Sequence, residues 1–217
     1  MALDVNQYID HTLLKADADE SQILQLCEEA KEHNFAGICI PPYYVKLAKT
    51  HLKDSNVLIA TVVSFPMGYD HIGSKMDSIK KSIDQGADEL DAVINITAIK
   101  NGRWVEVESE IDSLITACRI KNKTIKLIIE AALLTPSELD QILEIAIKHK
   151  PGFVKTSTGF AVSDNLVELV KYLRSKLPDS IKIKASGGIK DLETAEKLIE
   201  AGADRLGTSS AMKILSL

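Results

Sequence analysis

Two lysines in the second half of the chain stand where an amine could act as a nucleophile. They are Lys155, in Phe153-Val-Lys-Thr-Ser-Thr-Gly-Phe160, and Lys184, in Ile181-Lys-Ile-Lys-Ala185. At its ordinary pKa of about 10.4 a lysine is protonated and inert. Desolvation, or a second ammonium group close by, frees the amine to form a Schiff base with a carbonyl compound. Both segments read as short strands, rich in Ile and Val. Neighbouring parallel strands lie about 4.8 Å apart, close enough to bring the two amines together. Spacing alone leaves two readings open: a nucleophile with its partner, or two structural amines each paired with a carboxylate.

Strand parity extends the set. Alternate residues of a strand face opposite sides. Ile181, Ile183 and Ala185 share one face, and Lys182 and Lys184 the other. Ile125, Leu127 and Ile129 oppose Lys126, Ile128 and Glu130; Leu90, Ala92 and Ile94 oppose Glu89, Asp91 and Val93. Asp10 and Thr12 share a face, with His11 on the other, and Cys39 in Gly37-Ile-Cys-Ile-Pro has inward parity. Several strands therefore aim ionisable groups at one interior, where each ion costs several kcal/mol unless paired or used. An internal salt-bridge network is the structural explanation. Lys155, Lys184 and Glu130 are expected at the C-terminal ends of their strands, where barrel active sites are built, and this favours chemistry.

The elements that must hold these residues alternate regularly. Strand candidates are 8–12, 36–40, 57–63, 87–95, 124–130, 152–156, 180–185 and 203–207, separated by amphipathic stretches with apolar residues three and four apart. Capping signals open some helices, as in Thr135-Pro-Ser-Glu and Lys190-Asp-Leu-Glu. Eight β-then-α units in 217 residues fit an α/β fold, a single (β/α)₈ TIM barrel; a doubly wound open sheet is the competing architecture. Nothing resembling a linker divides the chain, so residues 1–217 are expected to form one catalytic domain. Gln85-Gly-Ala-Asp and Ala201-Gly-Ala-Asp read as a shared way of ending a helix on a left-handed glycine.

Glycine placement suggests the remainder of a ligand. Ser186-Gly-Gly-Ile-Lys-Asp and Gly207-Thr-Ser-Ser-Ala each follow a strand and open a helix. The loops after strands seven and eight of a barrel commonly hold a phosphate through backbone N–H groups at a helix N-terminus. Gly187 and Gly188 permit close approach, and Ser209 and Ser210 add hydroxyl donors.

Other classes find no support. His11, His33, His51, His71 and His149 lie on separate segments without metal-ligand spacing, so no metal is expected. Neither a dinucleotide fingerprint nor a Walker loop occurs. The net charge of −5 gives no bulk attraction to nucleic acid or anionic lipid. Three widely spaced cysteines, Cys27, Cys39 and Cys118, suit a reducing compartment. No signal-like N-terminus or apolar run of about 20 residues is present, and a soluble cytoplasmic protein is expected. Cys39 reads as a pocket-lining residue or as a small buried hydrophobe.

Nearly the whole chain resembles the deoxyribose-phosphate aldolases. The resemblance rests on Ile9-Asp-His-Thr-Leu-Leu-Lys15, Gly37-Ile-Cys-Ile-Pro41, Phe65-Pro-Met-Gly68 and Gly86-Ala-Asp-Glu-Leu-Asp-Ala-Val-Ile-Asn-Ile96. It continues through Lys126-Leu-Ile-Ile-Glu-Ala131, Val154-Lys-Thr-Ser-Thr-Gly-Phe160, Ile183-Lys-Ala-Ser-Gly-Gly-Ile189 and Ala203-Asp-Arg-Leu-Gly-Thr-Ser-Ser210. It implies a class I aldolase on a TIM barrel, with no metal or other cofactor. The reaction would interconvert 2-deoxy-D-ribose 5-phosphate with acetaldehyde and D-glyceraldehyde 3-phosphate, a step of deoxyribonucleoside catabolism.

By position in the family's motifs, Lys155 would form the imine and Lys184 would keep that amine unprotonated. Asp91 would work with Lys184 and a water in proton transfer. Asp10 and Thr12 would order the polar network and substrate hydroxyls, and Gly187, Gly188, Ser209 and Ser210 would hold the 5-phosphate. Gly159 and Cys39 join the substrate-binding set. Relatives suggest a homo-oligomer, a dimer or tetramer. Two departures stand out. Ala161-Val-Ser-Asp-Asn-Leu replaces a glycine-rich stretch of many relatives, and Ile214-Leu-Ser-Leu217 lacks the terminal tyrosine that some carry, so another group or water must serve. The alternatives are a related Schiff-base aldolase for another sugar phosphate and a non-catalytic sugar-phosphate-binding barrel.

Overall fold

The computed structural model describes residues 4–161 and 163–215; Val162 of the altered loop and Ser216 and Leu217 of the C-terminal segment lie outside them. Eight parallel strands pair in chain order, and the last closes on the first. They are β1 (Ile9–Thr12), β2 (Gly37–Ile40), β3 (Leu58–Val63), β4 (Glu89–Val93), β5 (Thr124–Ile128), β6 (Phe153–Lys155), β7 (Lys182–Ser186) and β8 (Arg205–Thr208). Closure decides against the open sheet. Around the barrel run α1 (Glu20–Glu32), α2 (Val45–His51), α3 (Ile72–Gln85), α4 (Ile96–Lys100), α5 (Trp104–Ile120), α6 (Pro136–His149), α7 (Leu166–Lys176), α8 (Leu192–Glu200) and the short α9 (Ala211–Ile214).

Local chemistry explains the element ends. Thr135 accepts the Glu138 N–H while the Glu138 carboxylate returns to the Thr135 N–H, with Pro136 in the first turn of α6. Asp19 and Gln22 form the same reciprocal pair on α1, and Asp191 caps α8. The two Gly-Ala-Asp phrases do end helices, since Gly86 and Gly202 are left-handed. Their aspartates add something the sequence did not disclose. Asp88 accepts the Ile59 N–H at 3.2 Å and Asp204 the Ile183 N–H at 2.8 Å, so each phrase also staples its own strand to the preceding one.

Parity separates two apolar layers. Leu90, Ala92, Ile125, Leu127, Ile183 and Ala185 join helix residues such as Ile111, Leu114, Ile142 and Leu198 in the main core. Inside the barrel a small cluster of Cys39, Ala60 and Val62 packs with Leu14 and Phe65. The strands are shorter than expected because their ends serve other purposes. Asn95, placed in the fourth strand by its sequence, instead caps α4 by accepting the Ala98 N–H. Glu130, expected at the end of the fifth strand, has φ 44° and turns out of the ladder. Among the described residues no helix is long and apolar enough to cross a membrane.

Candidate active site

Among the described residues, four basic side chains and three carboxylates meet inside the barrel. Lys155, the last residue of β6, is the Cα partner of Lys184 on β7, and both donate to Asp91 Oδ2 at 2.8 Å. Lys126 on β5 donates to Asp91 Oδ1 at 3.0 Å and to Glu89 Oε2. Lys184 also donates to Asp10 Oδ2. Arg205, at the start of β8, closes the network on Asp10 Oδ1 at 2.6 Å and Glu89 Oε2 at 3.2 Å. Every member belongs to the inward face of its strand, so the pleat alone converges them.

Two of the carboxylates, Asp10 and Asp91, are held ionised. Burial opposes the charge on Asp10 and Asp91, but the surrounding cations outweigh it and both lie well below the usual carboxylate range. For Asp10 these are Lys184, Lys126 and Arg205; for Asp91, Lys126, Lys155 and Lys184. Burial likewise opposes the charge on Lys184, and Asp10 and Asp91 overcome it, so this amine stays charged and is raised above the ordinary lysine range. Arg205 is permanently charged. Among the described residues, four basic side chains thus share three carboxylates. Lys155 has a single carboxylate partner, whereas Lys126 has three and Lys184 and Arg205 two each.

Above this network, at the C-terminal ends of the strands, lies a cavity of about 190 Å³. Lys155, Thr12, Thr158, Gly159, Ser186, Gly187, Gly188, Gly207, Ser209 and Ser210 contribute to its walls, with Leu14 and Lys190. Gly187 and Gly188 are both left-handed (φ 99° and 76°), which lays that backbone along the rim. The two rim loops are tied together: the Thr208 hydroxyl donates to Ile189 O at 2.8 Å and accepts the Ser210 N–H at 2.9 Å. The expectation of a helix N-terminus in each loop holds at the second, where Ser210 directly precedes α9, and needs correction at the first. The start of α8 is five residues past Gly187 and is already capped by Asp191, so an anion there would meet loop N–H groups instead.

The sequence-derived residues fall into three groups. Thr12, Lys155, Gly159, Gly187, Gly188, Ser209 and Ser210 line the cavity. Asp10, Asp91 and Lys184 are fully buried beneath it. Asp10 is thus placed to order the network and not to touch substrate hydroxyls. Cys39 is also fully buried, in the apolar cluster on β2 and β3 with its sulfur 3.9 Å from Asp91 Oδ2; burial pushes its thiol pKa up. That is the buried-hydrophobe reading. Glu130 does not join the interior. It accepts the Thr158 N–H at 3.1 Å and the Thr158 hydroxyl, bracing the loop after β6. None of the described residues of 161–166 lines the cavity. Sequence pattern alone does not single out Arg205, Ser186, Thr158 or Lys190, which the structure places here. Alternation in Arg205-Leu-Gly-Thr, which puts Arg205 on the face of Gly207, was the available signal for the first.

The comparisons with known proteins agree with this geometry. The pattern of the DeoC/LacD family of aldolases matches residues 5–216. The deoxyribose-phosphate aldolase of Staphylococcus carnosus is 45% identical over 213 residues, covering 98% of this chain and 96% of its own. That of Caldicellulosiruptor saccharolyticus is 44% identical over 214 residues, covering 98% and 97%. Among solved structures, an aldolase called QR15 superposes with a TM-score of 0.92 at 36% identity, over 99% of this chain and 95% of its own. A deoxyribose phosphate aldolase from Aeropyrum pernix, described as a unique tetramer, gives 0.91 at 29% identity over 98% and 89%. A closed barrel with paired lysines under a glycine-rimmed cavity, matched along nearly its full length, places the chain in the DeoC/LacD family of aldolases.

Proposed function

We propose that this protein catalyses the reversible cleavage of 2-deoxy-D-ribose 5-phosphate to acetaldehyde and D-glyceraldehyde 3-phosphate, through an imine on Lys155. The observation that carries the reading is the charge imbalance of the interior, with the least-paired amine at the floor of the cavity. A free lysine amine attacks the C1 aldehyde, and loss of water gives a protonated imine. The C3 hydroxyl then gives up its proton, the C2–C3 bond breaks, and its electron pair flows into the imine to leave an enamine. Protonation at C2 and hydrolysis release acetaldehyde and restore the lysine.

Lys184 supplies the neighbouring positive charge that favours a free amine. Asp91 Oδ2, in contact with both Nζ atoms, offers a route for the proton that one of them gives up. Thr12 is the hydroxyl at the cavity wall on the β1 side. The rim of Gly159, Gly187, Gly188, Ser209 and Ser210 holds the 5-phosphate. The whole chain, residues 1–217, acts as one catalytic domain in the cytoplasm, as a homo-oligomer and without a cofactor.

Borohydride reduction in the presence of 2-deoxyribose 5-phosphate, followed by mass mapping, tests this. The expected result is a reduced adduct on Lys155 together with acetaldehyde release. Ligand binding without adduct or product would turn the reading to a binding barrel, and faster turnover of another sugar phosphate would turn it to a related aldolase.

A further inference from the structure

Ser186 is 6% exposed, and among the described residues its hydroxyl has no hydrogen-bond partner. Buried hydroxyls are normally bonded, so an unpartnered one calls for an explanation. The serine is not loosely held. Its N–H donates to the Thr156 hydroxyl at 3.0 Å, and its carbonyl accepts from that same hydroxyl at 3.2 Å. Its side chain has the parity of Lys184, one layer nearer the mouth, and it lines the same cavity as Lys155. Opposite it in register is Gly207, where a Cβ would come within 2.4 Å of the Ser186 hydroxyl. The missing side chain on β8 is what leaves the hydroxyl its place.

Ser186 also immediately precedes Gly187 and Gly188, so it stands between the amine at the floor and the rim. A substrate linked to Lys155 through C1 and held by a phosphate on C5 must pass this level. The reacting C2–C3 bond lies toward the floor, and the hydroxylated carbon nearest the phosphate arm is C4. We infer that Ser186 is a specificity-determining residue that hydrogen-bonds the C4 hydroxyl of the sugar phosphate, the C2 hydroxyl of the aldehyde product. The inference rests on the aldolase reading above and deepens it. A serine hydroxyl both donates and accepts, so it can serve a ligand hydroxyl in either sense.

The test compares two acceptor aldehydes in condensation with acetaldehyde: D-glyceraldehyde 3-phosphate and its analogue without the hydroxyl, 3-oxopropyl phosphate. For Ser186→Ala, kcat/KM with D-glyceraldehyde 3-phosphate should fall about tenfold, or ~1.4 kcal/mol, and with the analogue it should be unchanged. Borohydride trapping of acetaldehyde on Lys155 should be equally efficient in wild type and variant, which establishes that the variant is folded with its amine intact. Equal losses with both acceptors, or no loss with either, would overturn the role of Ser186 and leave the aldolase reading standing. Wild-type protein that condenses neither acceptor would overturn both.

Discussion

Among the described residues, two buried regions are built around lysine, and the one beside the cavity is the proposed reactive site. Lys75, on α3, is 1% exposed and donates to Gly68 O at 2.6 Å, Val93 O at 2.8 Å and Glu110 Oε1 at 2.8 Å. An ammonium group has three donors, and all three are used. The second oxygen of Glu110 takes the Asn95 N–H at 2.9 Å. Burial pushes the Lys75 pKa down, the change usually taken as a mark of a reactive amine. Yet its charge is matched one to one and its role is to pin the loop after β3 to the end of β4. The barrel interior is the reverse case. Its lysines keep strong carboxylate partners, but cations outnumber carboxylates, and the amine with the fewest partners lies beside a cavity. Unmatched charge with access, and not a depressed pKa, distinguishes a nucleophile from a clamp.

Replacing each lysine in turn breaks or sharpens this contrast. Lys155→Ala should lower kcat by about 10⁴-fold or more, since no other group replaces the nucleophile. Its thermal midpoint should not fall, because three cations then face three carboxylates. Steady-state rates and a melting curve on one preparation suffice. Loss of the fold together with the activity would mean that Lys155 is as structural as Lys75. The second substitution should do the opposite. Lys75→Met leaves Glu110 buried without its partner and should cost about 3–5 kcal/mol in denaturant unfolding, while kcat per folded molecule is unchanged. A stable but inactive Lys75 variant would remove the distinction.

Strand parity explains how much of this could be read in advance. Period-two alternation put Asp91, Lys126 and Lys184 on the inward face before any coordinates, and it held where the strand was long enough to define a face. It failed at Glu130, because β5 ends at Ile128 and two further residues turn the chain into a left-handed conformation. A run of Ile, Ile and Glu carries no signal for that turn. Lys182 shares the parity of Lys184 yet is exposed at the outer end of the barrel, over the Phe153 ring. Parity gives the face of a residue but not its depth. The role of Lys75 was illegible for a related reason: its partners are two backbone carbonyls and a glutamate 35 residues away, and carbonyls leave no trace in composition. The rim glycines were legible as punctuation, whereas the unpartnered hydroxyl of Ser186 depends on register with Gly207, which only the pairing of β7 with β8 fixes.

The two regions should also part on acidification, by a smaller amount. The folded-state pKa values of Asp10 and Asp91 lie below their unfolded values of about 3.9. Their contribution to stability is therefore complete above that pH and is lost as the pH falls through the folded-state values, a window in which the unfolded chain binds more protons. Each such proton steepens the loss by up to about 1.4 kcal/mol per pH unit. Asp10→Asn should be less stable than wild type at neutral pH, since Lys184 and Arg205 each lose a partner. Its further decline below about pH 4 should be shallower by up to one proton. Lys75→Met removes no depressed carboxylate, so below about pH 4, where the unpartnered Glu110 is protonated in both states, it should keep the wild-type acid slope from a different starting stability. Chemical denaturation of the three proteins between pH 2 and about pH 7 measures the slopes directly. If Asp10→Asn and Lys75→Met declined in parallel, Asp10 would not be held ionised by its neighbours. The count of three carboxylates against four cations, on which the assignment of Lys155 rests, would then have to be redrawn.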